Sequence, residues 1–96
     1  MRNYKNIRAF VENKQVCIGI DVHEKQWVVC CICDGDVVEK TRIRSKYAIL
    51  KHLLANYAGA RKLRIVYEAG FSGFWLCRKL RADGYSCTVT PPNFCI

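Results

Sequence analysis

The chain predicts an α/β fold: one mixed sheet in the strand order three-two-one-four-five, with helices packed on it. Three observations carry that expectation. Two apolar runs, Val16-Cys17-Ile18-Gly19-Ile20 and Leu63-Arg64-Ile65-Val66-Tyr67, each lead straight into an acid, Asp21 and Glu68, and read as strands ending at a loop. Asp34-Gly35, between two further strand-like runs, is a strong hairpin signal. After the third strand the pattern alternates helix, strand, helix, strand. An antiparallel start followed by that alternation puts the first and fourth strands side by side and parallel, so Asp21 and Glu68 leave the sheet at the same edge.

Taken in order, residues 1–14 form a basic leader whose only apolar anchors are Ile7, Phe10 and Val11. Residues 15–96 make up the domain. Strands are expected over 16–21, 26–33 and 36–43. A helix over 45–57 follows, with Ser45 as its N-cap and Leu50, Leu53, Leu54 and Tyr57 on the buried stripe. The fourth strand ends at Glu68. A second helix starts at Ser72 or Gly73 and stops at Asp83-Gly84, where glycine permits the left-handed turn that ends many helices. Residues 86–90 form a short fifth strand, closed by Pro91-Pro92. Of Phe71, Phe74 and Trp75, two are expected in the core, because they recur at helical spacing.

Composition narrows the function classes. At 96 residues the chain supports one modest core. No run approaches the roughly 20 apolar residues of a membrane span, and the polar, basic N-terminus lacks the apolar stretch of a signal peptide. A cytoplasmic, nucleoid-associated protein with no membrane partner is expected. Seven cysteines would indicate disulfides in a secreted chain. Here most fall on apolar positions of strands and helices, where cysteine behaves as a small hydrophobe. The competing reading takes Cys30 and Cys33 as half of a zinc site, which needs a tight turn and a second matching pair.

A net charge of +8 points to a polyanion. Basic sets recur at Arg2, Lys5, Arg8 and Lys14, at Lys40, Arg42, Arg44, Lys46 and Lys51 along the third strand and first helix, at Arg61, Lys62 and Arg64, and at Arg78, Lys79 and Arg81, and such clusters grip phosphates without reading sequence. Acids at neighbouring strand ends supply the hard oxygen donors that a divalent cation prefers, and phosphodiester chemistry uses both cationic grip and metal. His23, two residues past Asp21, is placed to orient that carboxylate. Gly70 and Gly73 bracket the turn out of Glu68, where a side chain would obstruct an approaching phosphate, and the helix that follows aims free N–H groups at the same edge.

The segments Gly19-Ile20-Asp21-Val22-His23, Tyr67-Glu68-Ala69-Gly70 and Gly84-Tyr85-Ser86-Cys87-Thr88-Val89, in this order and spacing, closely resemble the N-terminal part of the DEDD transposases of the insertion-sequence-110 family. The resemblance covers nearly the whole chain after Lys14. It implies a RuvC-like, ribonuclease-H-like fold and metal-dependent DNA strand cleavage and transfer with Mg²⁺ or Mn²⁺. Asp21 and Glu68 match the first two acids of the family's metal-binding tetrad. The other two are expected beyond Ile96, so the chain is expected to be a catalytically incomplete portion. DNA is the implied partner, with a structured guide RNA and self-association as further expectations. His23, Lys25, Gly70, Ser72 and Arg78 are the nucleic-acid-binding candidates.

Two other classes compete. A non-catalytic nucleic-acid-binding remnant would keep the fold and charge without the chemistry. An actin-like phosphotransferase also begins its sheet with an Ile-Asp strand end, but it needs glycine and Ser/Thr directly after the acid to cradle phosphates. Val22-His23-Glu24 supplies neither.

Overall fold

A computed structural model describes residues 6–68 and 74–90 of the chain. The elements run α1 (Ile7–Val11), β1 (Gln15–Val22), β2 (Gln26–Cys33), β3 (Asp36–Arg44), α2 (Tyr47–Leu54), a 3₁₀ turn (Ala55–Tyr57), β4 (Lys62–Glu68), α3 (Trp75–Ala82) and β5 (Ser86–Thr90). They build a mixed α/β architecture around one five-stranded sheet in the order β3-β2-β1-β4-β5. β1 and β2 pair antiparallel, as do β2 and β3, whereas β4 lies parallel to both β1 and β5. Strand order and pairing senses agree with the sequence-based expectation.

Period-two alternation decides which face is buried. On β1, Val16, Ile18 and Ile20 are buried while Cys17 and Asp21 are exposed. On β4, Ile65 and Tyr67 are buried while Arg64 and Glu68 are exposed. The buried strand residues join Leu50, Leu53 and Leu54 of α2, Leu76 and Leu80 of α3, and Val11 of α1 in one core. The described helices therefore cover a single face of the sheet. The opposite face carries both acids.

Turn chemistry fixes the register. Asp34 and Gly35 both adopt positive φ, 51° and 84°, which matches the two-residue hairpin turn whose twist suits the flanking strands. Beyond it β3 carries a bulge: Cys31 pairs with Glu39 and Ile32 with Val37, leaving Val38 without a partner on β2. Val38 turns into the core. At the end of α3, Gly84 has φ 93°. Its N–H donates to Arg81 O and that of Tyr85 donates to Leu80 O, at 3.0 and 2.9 Å, the paired bonds of a Schellman cap.

Several expectations are corrected. The basic leader's apolar anchors Ile7, Phe10 and Val11 do pack on the core, and residues 7–11 add a short helix not expected from the sequence. The Asn13 N–H donates to Gly59 O and the Arg61 N–H to Lys14 O, stitching this segment to the loop before β4. Ser45 does not cap α2. Its hydroxyl donates to Glu24 O at 2.7 Å, and Lys46 takes the N-cap position without a side-chain bond. Phe74 and Trp75 are 58% and 39% exposed, so two of the three aromatics cannot both be core. Trp75 instead lies tilted against buried Trp27, ring centroids 6.0 Å apart. Cys17 faces away from the core, while Cys31, Cys33, Cys77 and Cys87 are buried and free. Cys30 and Cys33, an odd number of strand positions apart, point to opposite faces and cannot form half of a zinc site. Phe71, Gly73, Pro91 and Pro92 lie outside the described residues.

Candidate functional site

The last register pair between the parallel strands β1 and β4 is Ile20 with Tyr67. Asp21 and Glu68 are the next residue on each strand. Register partners in a parallel pair project to the same side, so the two carboxylates stand together on the face that the helices leave open. They line one crevice with Gly19, Val28, Cys30, Lys40, Val66 and Thr90. This is the carboxyl end of the parallel strands, where open α/β sheets place their ligands.

Each acid is held by a locally determined frame. Asp21 pairs across to Val28 on β2, and the turn after β1 closes through the His23 N–H donating to Gln26 O at 3.2 Å. That turn brings His23 Nε2 to 3.1 Å from Asp21 Oδ2, with side chains 61% and 70% exposed. The pair is thus solvated, and the expectation that His23 orients the Asp21 carboxylate has its geometry. Glu68 pairs with Thr90 on β5. One residue earlier, the Thr90 hydroxyl donates to Tyr67 O at 3.4 Å. The Tyr67 hydroxyl in turn accepts from the Cys77 N–H at 2.9 Å, tying the first turn of α3 beneath the strand that carries Glu68. Burial pushes the Tyr67 phenol up from its ordinary value, partly offset by that donated backbone bond.

The α3 terminus does not offer all its N–H groups to the crevice as expected. The Cys77 N–H, one of the four without an intrahelical partner, is taken by the Tyr67 hydroxyl. Arg78 itself is exposed in the helical layer and is not among the crevice residues. Lys25 lies in a neighbouring groove with His23, Gln26 and Arg42. Gly70 and Ser72 lie outside the described residues. Arg81, part of an expected phosphate cluster, is engaged structurally: its Nε and Nη2 both donate to Cys87 O, at 3.1 and 2.8 Å.

Thr90, Val66 and Lys40 reach the crevice through sheet order and register. Thr90 could have been found from the expected order alone, which places the end of the fifth strand beside Glu68. Among the described residues, no group of three or more His, Cys, Asp or Glu side chains is arranged to hold a metal ion. The crevice brings together two carboxylates. Two carboxylates suit Mg²⁺, which keeps several waters and is commonly bound by one or two acids plus substrate phosphates. Among the described residues, no helix is long and apolar enough to cross a membrane. No protein-family model, curated protein or solved structure matches this chain.

Proposed function

We propose that the chain is a ribonuclease-H-like domain of the DEDD transposase type, acting on DNA through a divalent cation held by Asp21 and Glu68. The observation that carries this reading is the placement of both acids at the carboxyl ends of adjacent parallel strands, on the open sheet face, lining one crevice. The 3-2-1-4-5 order with its antiparallel start and the excess of cations support it. Bound Mg²⁺ or Mn²⁺ would polarise a phosphodiester and stabilise the charge that develops on its oxygens. The chain's own part is to hold the cation, to orient Asp21 through His23, and to leave the crevice accessible to a backbone.

Two-metal strand transfer holds its cations about 3.5 to 4 Å apart and uses more acids than these two. The reading therefore assigns this chain weak binding at one position and no DNA cleavage by itself. The missing third ligand among the described residues also favours a second reading, a nucleic-acid-binding module without chemistry. Mn²⁺ titration followed by NMR separates them. Paramagnetic broadening should centre on Asp21 and Glu68 and disappear in Asp21→Asn and in Glu68→Gln. Broadening that is absent from the parent chain, or that survives both substitutions, rejects the metal site.

A further inference from the structure

The open face carries a second feature beside the acids. Cys30 pairs with Lys40, Val28 with Arg42 and Gln26 with Arg44. All three cations are exposed and share the face of Asp21, which sits directly opposite Val28. Side chains two apart on a strand repeat at about 6.8 Å, so Lys40, Arg42 and Arg44 form a straight row of positive charge along β3. Asp21, Val28 and Arg42 occupy consecutive strands in one line across the sheet, which sets Arg42 about 10 Å from Asp21 at strand spacing.

The row is continuous with the carboxylate crevice. Lys40 lines that crevice, Val28 is shared between it and the next groove, and Arg42 and Lys25 line both that groove and the one beyond, which ends at Arg44. The corner is braced: Ser45 Oγ donates to Glu24 O and the Ser45 N–H to Lys25 O, at 2.7 and 3.3 Å. These bonds hold the turn after β1 against the end of β3. Among the described residues, Lys25, Lys40, Arg42 and Arg44 form no ion pair. Four cations outnumber the one acid of these grooves, Glu24, and on a braced surface they form an electrostatic site for a polyanion.

We propose that Lys40, Arg42 and Arg44, with Lys25, form a phosphate track that holds one polynucleotide strand beside the Asp21–Glu68 crevice. This rests on the nucleic-acid reading of that crevice and assigns the strand its path across the sheet. The spacing of the row is close to that of successive phosphates in an extended single strand, and it offers one line of charge to one backbone. An acidic amphipathic helix fits less well, because the grooves at this corner have few apolar residues, Val28 and Ile43. The track reads phosphates and so takes DNA and RNA strands alike.

The test is salt-dependent binding of oligo-dT and oligo-U of equal length to the 96-residue chain. Each phosphate neutralised on a single strand contributes about 0.7 to the slope of log affinity against log salt. Replacing Lys40, Arg42 and Arg44 together by Gln should lower the slope by about 2 for both oligomers. Equivalently, between 50 and 200 mM salt the parent should lose roughly 20-fold more affinity than the triple variant. Arg42→Gln alone should lower the slope by about 0.7, which keeps the test open should the triple variant fold poorly. A control on the helical side, Arg8→Gln with Lys51→Gln and Lys79→Gln, should retain the parent slope. Asp21→Asn with Glu68→Gln should lose Mn²⁺ broadening and keep strand binding, so failure of the metal site and failure of the track are distinguishable. The proposal is overturned if the control lowers the slope as much as the β3 triple, or if the acid variant loses the strand. It is equally overturned if one sugar is preferred more than tenfold, or if an oligoglutamate peptide binds as tightly as the oligonucleotides.

Discussion

Alkaline pH should unfold this protein through thiols that burial keeps protonated. Cys31 is fully buried, and desolvation pushes its thiol from the ordinary 9.0 up to about 12, partly offset by the neighbouring Tyr57 hydroxyl. The folded state therefore binds this proton more tightly than the unfolded state. Stability from this group is complete below about pH 9 and is lost as pH rises toward 12. Near pH 10.5 the unfolded thiol is about one and a half pH units past its midpoint while the folded thiol keeps its proton. At about 1.4 kcal/mol per pH unit, the unfolded state gains about 2 kcal/mol. That is a large share of the roughly 5 kcal/mol available to a small domain. Cys87, also buried and also pushed up to about 12, acts in the same direction. The assay is urea denaturation at pH 8 and pH 10.5, read by the fluorescence of buried Trp27. Cys31→Ala costs stability at both pH values, yet its loss between them should be about 2 kcal/mol smaller than that of the parent. Equal losses in parent and variant would refute the argument, because they would mean that Cys31 is not sealed from water. Metal and strand binding are accordingly best measured below pH 9.

Gly84→Ala should lower stability by about 1–2 kcal/mol, because a Cβ at φ 93° is strained even though no neighbouring atom would obstruct it; thermal unfolding checks this, and Gly84→Asn should lose less. Tyr57→Phe should cost about 1–2 kcal/mol by removing the hydroxyl that donates to Glu39 Oε1 at 2.6 Å beside the core. Chemical denaturation with an unchanged slope against denaturant would locate that loss in the folded state.

The strands were legible because alternation and turn residues state them directly: Asp34-Gly35 could hardly be anything but a two-residue hairpin turn. Both acids were legible for the same reason, since each follows an apolar run. Ser45 was misread because its residue type fits an N-cap, while a carbonyl 21 residues earlier, at Glu24, competes for its hydroxyl. No local pattern shows such a competitor. The five-residue α1 is too short for helical periodicity, so the burial of Val11 is decided by packing alone.

The cationic row depends on a single extra residue. Were β3 to continue regularly from the hairpin, the pairs Cys33–Asp36 and Ile32–Val37 would be followed by Cys31–Val38, Cys30–Glu39 and Val29–Lys40. Lys40, Arg42 and Arg44 would then share the face of buried Val29 and meet the core. The bulge at Val38 reverses the parity of everything after it. Glu39 turns inward, where it accepts from Tyr57, and the three cations turn outward to the face of Asp21. The sequence carries a trace of this in Val37-Val38, two apolar residues in succession on a strand that then alternates strictly. Burying three cations without partners would cost far more than one lost ladder pair, so the charges themselves enforce the bulge. The same physics that keeps Lys40, Arg42 and Arg44 out of the core delivers them to the open face beside the two carboxylates.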